Sequence, residues 1–111
     1  MERAVLVYTT YPSIVEAEEA GRAIVGRRLA ACVNILPGMV SHYWWQGKIE
    51  RGEEVVMILK TRDSLAQAVL AAVKTKHSYT TPSILVVPIE HIDPDYHRWI
   101  AAETAGAQTG A

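Results

Sequence analysis

Cys32-Val33-Asn34-Ile35-Leu36-Pro37-Gly38-Met39-Val40-Ser41-His42-Tyr43-Trp44-Trp45-Gln46-Gly47-Lys48-Ile49 is the stretch that decides the fold. Ala31 to Ile35 is apolar and β-prone. Pro37-Gly38 interrupts it as a bend or bulge, because proline cannot donate to a ladder. The strand resumes with Val40, His42 and Trp44 alternating with Ser41, Tyr43 and Trp45. Gln46-Gly47 signals a turn, and Ile49 opens a partner strand that turns apolar over Val55 to Leu59. The stretch therefore reads as one long, bent hairpin. It is too long and too aromatic to stand alone in water.

Working outward, the hairpin is flanked by two βα units. Ala4 to Tyr8 is a continuous apolar strand, and Pro12 ends it. Ser13-Ile14-Val15-Glu16 spells a capping box, and Ala17, Ala20, Gly21, Ile24 and Val25 follow at helical spacing, so a helix is expected over about 13–28. After the hairpin, Thr61, Asp63 or Ser64 is suited to cap a second helix, whose narrow stripe is Leu65, Val69, Ala72, Val73 and Lys76. Ser83 to Ile89 is a further strand, with Pro88 pointing to an edge or strand end. Asp93-Pro94 starts a last helix with Tyr96, Trp99 and Ile100 on one face. The order is β-α-β-β-α-β plus a terminal helix, an α+β, ferredoxin-like pattern with one antiparallel sheet and two helices on one face. The other sheet face lacks an obvious cover, which predicts self-association.

The 111 residues make one domain, with 105–111 expected to fray as a small-residue tail. Half the residues are hydrophobic and 21% are charged, which fits a globular chain and not a disordered one. A net charge of −1 gives no reason to expect nucleic acid or a membrane surface as partner. No run approaches a membrane span, and no secretory signal is apparent. Cys32 is the lone cysteine, so a reducing, cytoplasmic location is expected.

The chemistry-bearing residues give no complete catalytic set. No Ser/His/Asp order, phosphate loop or dinucleotide fingerprint occurs, so no enzyme activity is expected. Cys32 lies within an apolar strand and reads as a packing residue before a ligand or redox thiol. His42, His77, His91 and His97 show neither the i, i+4 spacing of a helical metal pair nor the i, i+2 spacing of a strand chelate. His91 and His97 read as solvated, and His42 as a hydrogen-bonded sheet residue. His77 stands at the end of the second helix, where a cation is favourable, and both that reading and a site role are open. Glu50, Glu53 and Glu54 read as a charged edge that discourages aggregation. Tyr43, Trp44 and Trp45 suit packing against a partner subunit better than base stacking. Lys60-Thr61 precedes a helix start, where an anion is able to sit.

Taken together, these residues resemble the CutA family of divalent-cation tolerance proteins. Leu29-Ala30-Ala31-Cys32-Val33-Asn34-Ile35-Leu36-Pro37-Gly38 carries the likeness first. It continues through Ser41, Tyr43, Trp45, Gly47, Ile49, Glu54 and Ile58-Leu59-Lys60-Thr61, then His77, Tyr79, Pro82, Tyr96 and Trp99. The resemblance implies a compact homotrimer, a role in tolerance to copper and other divalent ions, and a likeness to PII signalling trimers with ligand clefts between subunits. The family stretch His-Pro-Tyr-x-x-Pro-Glu reads His77-Ser78-Tyr79-Thr80-Thr81-Pro82-Ser83 here, so one carboxylate is missing at Ser83 and Thr80 fills a position that is often acidic. Thr9 and Lys76 stand where some relatives carry a Cys and a second His. The implied metal ligands for Cu²⁺ or another divalent cation thin to His77, with Cys32 beside it. One imidazole is a poor copper cage. The alternative is a pocket between subunits lined by Tyr43, Trp45, Lys60, His77 and Tyr79, taking a small anionic ligand.

Overall fold

The computed structural model describes residues 1–110. Four strands alternate with three helices: β1 (Ala4–Tyr11), α1 (Ile14–Gly26), β2 (Cys32–Trp45), β3 (Lys48–Arg62), a single 3-10 turn (Asp63–Leu65), α2 (Ala66–Thr75), β4 (Ile84–Pro88) and α3 (Pro94–Glu103). All pairings are antiparallel and the sheet order is β2-β3-β1-β4, the ferredoxin-like arrangement with an added terminal helix.

The register sorts the side chains onto two faces, because strand side chains alternate. Val7 faces Leu59 on one side and Val86 on the other, and Tyr11 faces Val55. These residues form the core with Met57 of β3, with Ala17 and Ile24 of α1, and with Val69 and Val73 of α2. The alternate residues of each strand fall on the opposite face, even-numbered in β1 and β3 and odd-numbered in β4. There Leu6 pairs with Lys60 and Val87, Tyr8 with Ile58 and Leu85, and Leu36 with Val56. α3 shields only one end of that face. Its Tyr96 hydroxyl lies 3.7 Å from Cys32 Sγ, the Lys60 ammonium stands 5.4 Å from the Tyr96 ring centre, and Thr104 Oγ1 accepts from Arg62 at 3.0 Å. Leu36, Leu85 and Val87 are left 50%, 55% and 44% exposed.

The hairpin takes its shape from two glycines. The register slips between Leu36 and Met39, and Gly38 sits there at φ +87, a left-handed conformation that glycine adopts without a Cβ clash. Gln46 and Gly47 both have positive φ, 49 and 80, as the right-handed twist of a two-residue hairpin requires.

Two local devices differ from the sequence expectation. Ser13 accepts the Glu16 amide at 3.2 Å as a capping box demands, but Glu16 does not reach back; its Oε2 accepts from the Ser78 amide at 3.1 Å. None of Thr61, Asp63 or Ser64 caps α2 through its own side chain. Glu2 instead caps the 3-10 turn that leads into α2, accepting the Ser64 amide at 2.8 Å and the Ser64 hydroxyl at 2.9 Å, while Arg62 donates to it at 2.9 Å. The described part of the tail makes contacts with the body of the fold. Arg27 donates to the Gln108 and Gly110 carbonyls, the Gln108 amide donates to Arg27 O at 2.8 Å, and Ala107 packs on the core.

Candidate functional site

The most developed cavity is a groove of about 640 Å³ on the uncovered face, where the hairpin rises past the end of the sheet. The β2–β3 register builds its floor. Met39 opposes Glu54, Ser41 opposes Gly52, Tyr43 opposes Glu50 and Trp45 opposes Lys48, so Met39, Ser41, Tyr43 and Trp45 share the face of Glu54. Tyr8 and Thr10 of β1 extend it, and the Tyr79–Ser83 segment closes the far side. Tyr8 also donates to Met39 Sδ at 3.4 Å, which ties β1 to the bulge.

Glu54 and Tyr79 meet inside this groove. The Tyr79 hydroxyl donates to Glu54 Oε2 at 3.1 Å. Burial first, and then the Glu54 charge, push the Tyr79 phenol up to about 12. Among the described residues no Lys, Arg or His forms an ion pair with Glu54, and no Lys or Arg lines the groove. Its fixed charge is therefore one carboxylate within walls of Tyr8, Tyr43, Trp45 and Tyr79.

His77 does not reach this groove. Its side chain is 0% exposed. The ring stacks on Tyr11 with centroids 4.3 Å apart and 12° between planes, and it lies against Tyr79 at 4.9 Å. The Tyr79 amide donates to Nδ1 at 3.0 Å, and Nε2 lies 2.7 Å from the Thr10 carbonyl. A backbone amide only donates and a carbonyl only accepts, so Nε2 carries the proton and Nδ1 accepts. No ring nitrogen has a lone pair left for a metal. The residue is a strut that fixes the Tyr79 segment to β1. Beneath it the Tyr11 hydroxyl is buried without a partner, and burial, with Glu16 nearby, pushes that phenol up to about 12.

Of the residues expected to line a pocket between subunits, Tyr43, Trp45, Lys60, His77 and Tyr79, one chain brings only some together. Tyr43, Trp45 and Tyr79 gather in the groove and His77 lies underneath. Lys60 pairs with Cys32 and Leu6, six residues along β3 from Glu54 and roughly 20 Å away at the rise of a strand. Cys32 and His77 stand at opposite ends of the sheet, so they do not converge on one ion. Among the described residues no group of three His, Cys, Asp or Glu side chains is placed to hold a metal. Glu54 is the residue that sequence reasoning placed elsewhere, on a charged edge. Its parity with Val56 and Ile58 was the available signal that it faces the uncovered side of the sheet and not the hairpin edge.

Comparison with known proteins follows the same lines. Residues 5–103 match the family described as CutA1 divalent ion tolerance protein. The chain belongs to the CutA1 family. A Citrobacter koseri divalent-cation tolerance protein CutA is 44% identical over 99 residues, covering 89% of this chain and 86% of that protein. Among solved CutA1 structures, that from Oryza sativa superposes with a TM-score of 0.89 at 37% identity, covering 93% of this chain and 94% of the other. The Archaeoglobus fulgidus protein, described as a periplasmic divalent cation tolerance protein CutA, superposes with a TM-score of 0.88 at 42% identity, covering 91% and 98%. The superpositions extend over nearly all of the fold described above.

Proposed function

We propose that this CutA1 chain works as a homotrimer in tolerance to divalent cations, copper among them, by binding and not by turnover. The observation that carries the assembly is the uncovered sheet face. Leu36, Leu85 and Val87 project from it, and an unshielded row of large apolar side chains on a small chain marks a protein contact. Burying each fully is worth about 1.5–3 kcal/mol. The lone thiol of Cys32, which meets a phenol and not a base, suits a reducing compartment and a non-catalytic role, and we assign the protein to the cytoplasm on that ground.

Contact with metal in this reading is weak. His77 is engaged at both nitrogens, Cys32 is remote from it, and Glu54 with the Tyr79 oxygen offers a hard, two-atom contact and no cage. A competitive Cu²⁺ titration of metal-stripped protein against a chelator of known affinity tests this. The expected result is uptake weaker than about 1 μM, which corresponds to roughly −8 kcal/mol. Saturation below that concentration, with a whole-number ratio of ions to chains, overturns it.

A second reading is favoured by the groove itself. At about 640 Å³ it falls in the range of small-molecule sites, and it is walled by aromatic rings around a few polar groups. In that reading the trimer is a PII-like module that senses a small ligand, and metal tolerance follows indirectly.

A further inference from the structure

A second acceptor stands beside the His77 ring, and the neutral ring leaves it unused. We infer that His77 is an acid-sensitive latch on the 78–83 segment: protonation at Nδ1 moves the ring's bond from the Tyr79 amide to the Glu16 carboxylate, and the segment that carries Tyr79 to Glu54 comes free. The groups involved belong to one chain, and the His77 side chain is already fully buried within it. The latch therefore does not depend on what covers the open sheet face.

Geometry carries it. Nδ1 accepts the Tyr79 amide at 3.0 Å, and Glu16 Oε2 lies 3.9 Å from the same nitrogen. A ring nitrogen holds either a lone pair or a proton, so the Tyr79 amide keeps its acceptor only while Nδ1 is bare. Once Nδ1 is protonated, two donors face each other and the amide is displaced. The new N–H reaches Glu16 after a shift of about 1 Å and makes a charge-assisted bond. Nε2 donates to the Thr10 carbonyl in both states, so the ring keeps its seat. Four elements bring charged or titratable groups to this region. Tyr11 of β1 stacks on the ring, and an aromatic face favours a cation over it. α1 supplies Glu16, whose Oε2 also accepts the Ser78 amide at 3.1 Å. Lys74 and Lys76, at the end of α2, are exposed to solvent, where their charge is screened. Glu54 of β3 is linked to the ring only through Tyr79. A buried cation needs a counter-charge, and Glu16 is the carboxylate within reach. Residues 78–83 form no helix or strand of their own. They are tied down by the Ser78 amide on Glu16, the Tyr79 amide on His77 and the Tyr79 hydroxyl on Glu54. Protonation removes the bond in the middle of this series.

Nitrogen-15 NMR of the intact protein, following histidine ring nitrogens and backbone amides from neutral to acid pH, tests the exchange. At neutral pH the His77 Nδ1 resonance is expected where a bare ring nitrogen falls. As the pH drops it is expected to move to the position of a protonated one. Over the same interval the hydrogen-exchange protection of the Tyr79 amide is expected to fall at least tenfold, while the Val7 and Leu59 amides of the inner strands keep theirs. Glu16→Gln retains an acceptor for the Ser78 amide and loses the charge, so both changes are expected at lower pH. A Nδ1 that stays bare until Val7 and Leu59 lose protection overturns the latch. A Tyr79 amide that stays protected after the ring is protonated also overturns it. An unshifted midpoint in Glu16→Gln overturns the exchange of partners. The first two results are read on the unsubstituted chain, so a folding defect in the variant does not shield the proposal.

Discussion

At the residue scale His77 shows how a residue type suggests one role and its contacts assign another. A histidine at a helix end beside a tyrosine is a reasonable metal ligand on sequence alone. The deciding contacts are with the Thr10 carbonyl and the Tyr79 amide, and main-chain partners leave no mark in a residue pattern. His77→Ala removes two hydrogen bonds and a stacked ring and leaves a void against Tyr11. It is expected to destabilise the fold by about 2–4 kcal/mol, read from denaturant midpoints, and to leave Cu²⁺ uptake unchanged. A loss of copper binding without a loss of stability contradicts the structural role. The tyrosines make a pH prediction. Tyr11 and Tyr79 are both raised from 10.0 to about 12 by burial first, with a nearby carboxylate adding to it. Their folded values exceed the unfolded one, so the folded chain holds protons that the unfolded chain releases. Their stabilisation is complete below pH 10 and is lost as pH rises toward 12. Ultraviolet titration of the folded protein is expected to show two of its five tyrosines ionising only near pH 12.

At the element scale most of the architecture was legible. Strands with β-prone runs, a capping serine, a proline-glycine bulge and a glycine turn are all local signals, and each was read from neighbouring residues. What was not legible is what comes from far along the chain. The amide that begins the turn into α2 is capped by Glu2, 62 residues away, and the tail is held by Arg27. Glu54 was misplaced because an acidic run looks the same whether or not one member faces a groove; only the register tells them apart. The Glu2 cap is testable. Its carboxyl is held below the usual 4.5, mainly by the Ser64 amide and then by Arg62. A lowered folded value means that this stabilisation is present above the unfolded value and is lost as pH falls through the folded one. Glu2→Gln is expected to lower the melting temperature at pH 7 and to have a smaller effect at pH 3. An equal effect at both pH values contradicts the charged cap.

At the scale of the whole molecule the unresolved demand is the open sheet face. α1 and α2 cover one side, α3 covers one end of the other, and the rest presents Leu36, Leu85 and Val87 to solvent. A second side-chain row, Val40, Trp44 and Ile49, is 47%, 72% and 64% exposed along the hairpin. A single chain has nothing left to lay over these rows, whereas neighbouring copies bring both helices and hairpins. The groove lies on that same open face, so assembly and ligand site are expected to depend on each other. Leu85→Glu with Val87→Glu places charge in the centre of the proposed contact and is expected to yield folded monomers. The most direct test of the account is sedimentation equilibrium of the unsubstituted chain across micromolar concentrations. The account predicts a single species of three times 12.2 kDa. A species of 12.2 kDa throughout that range contradicts it.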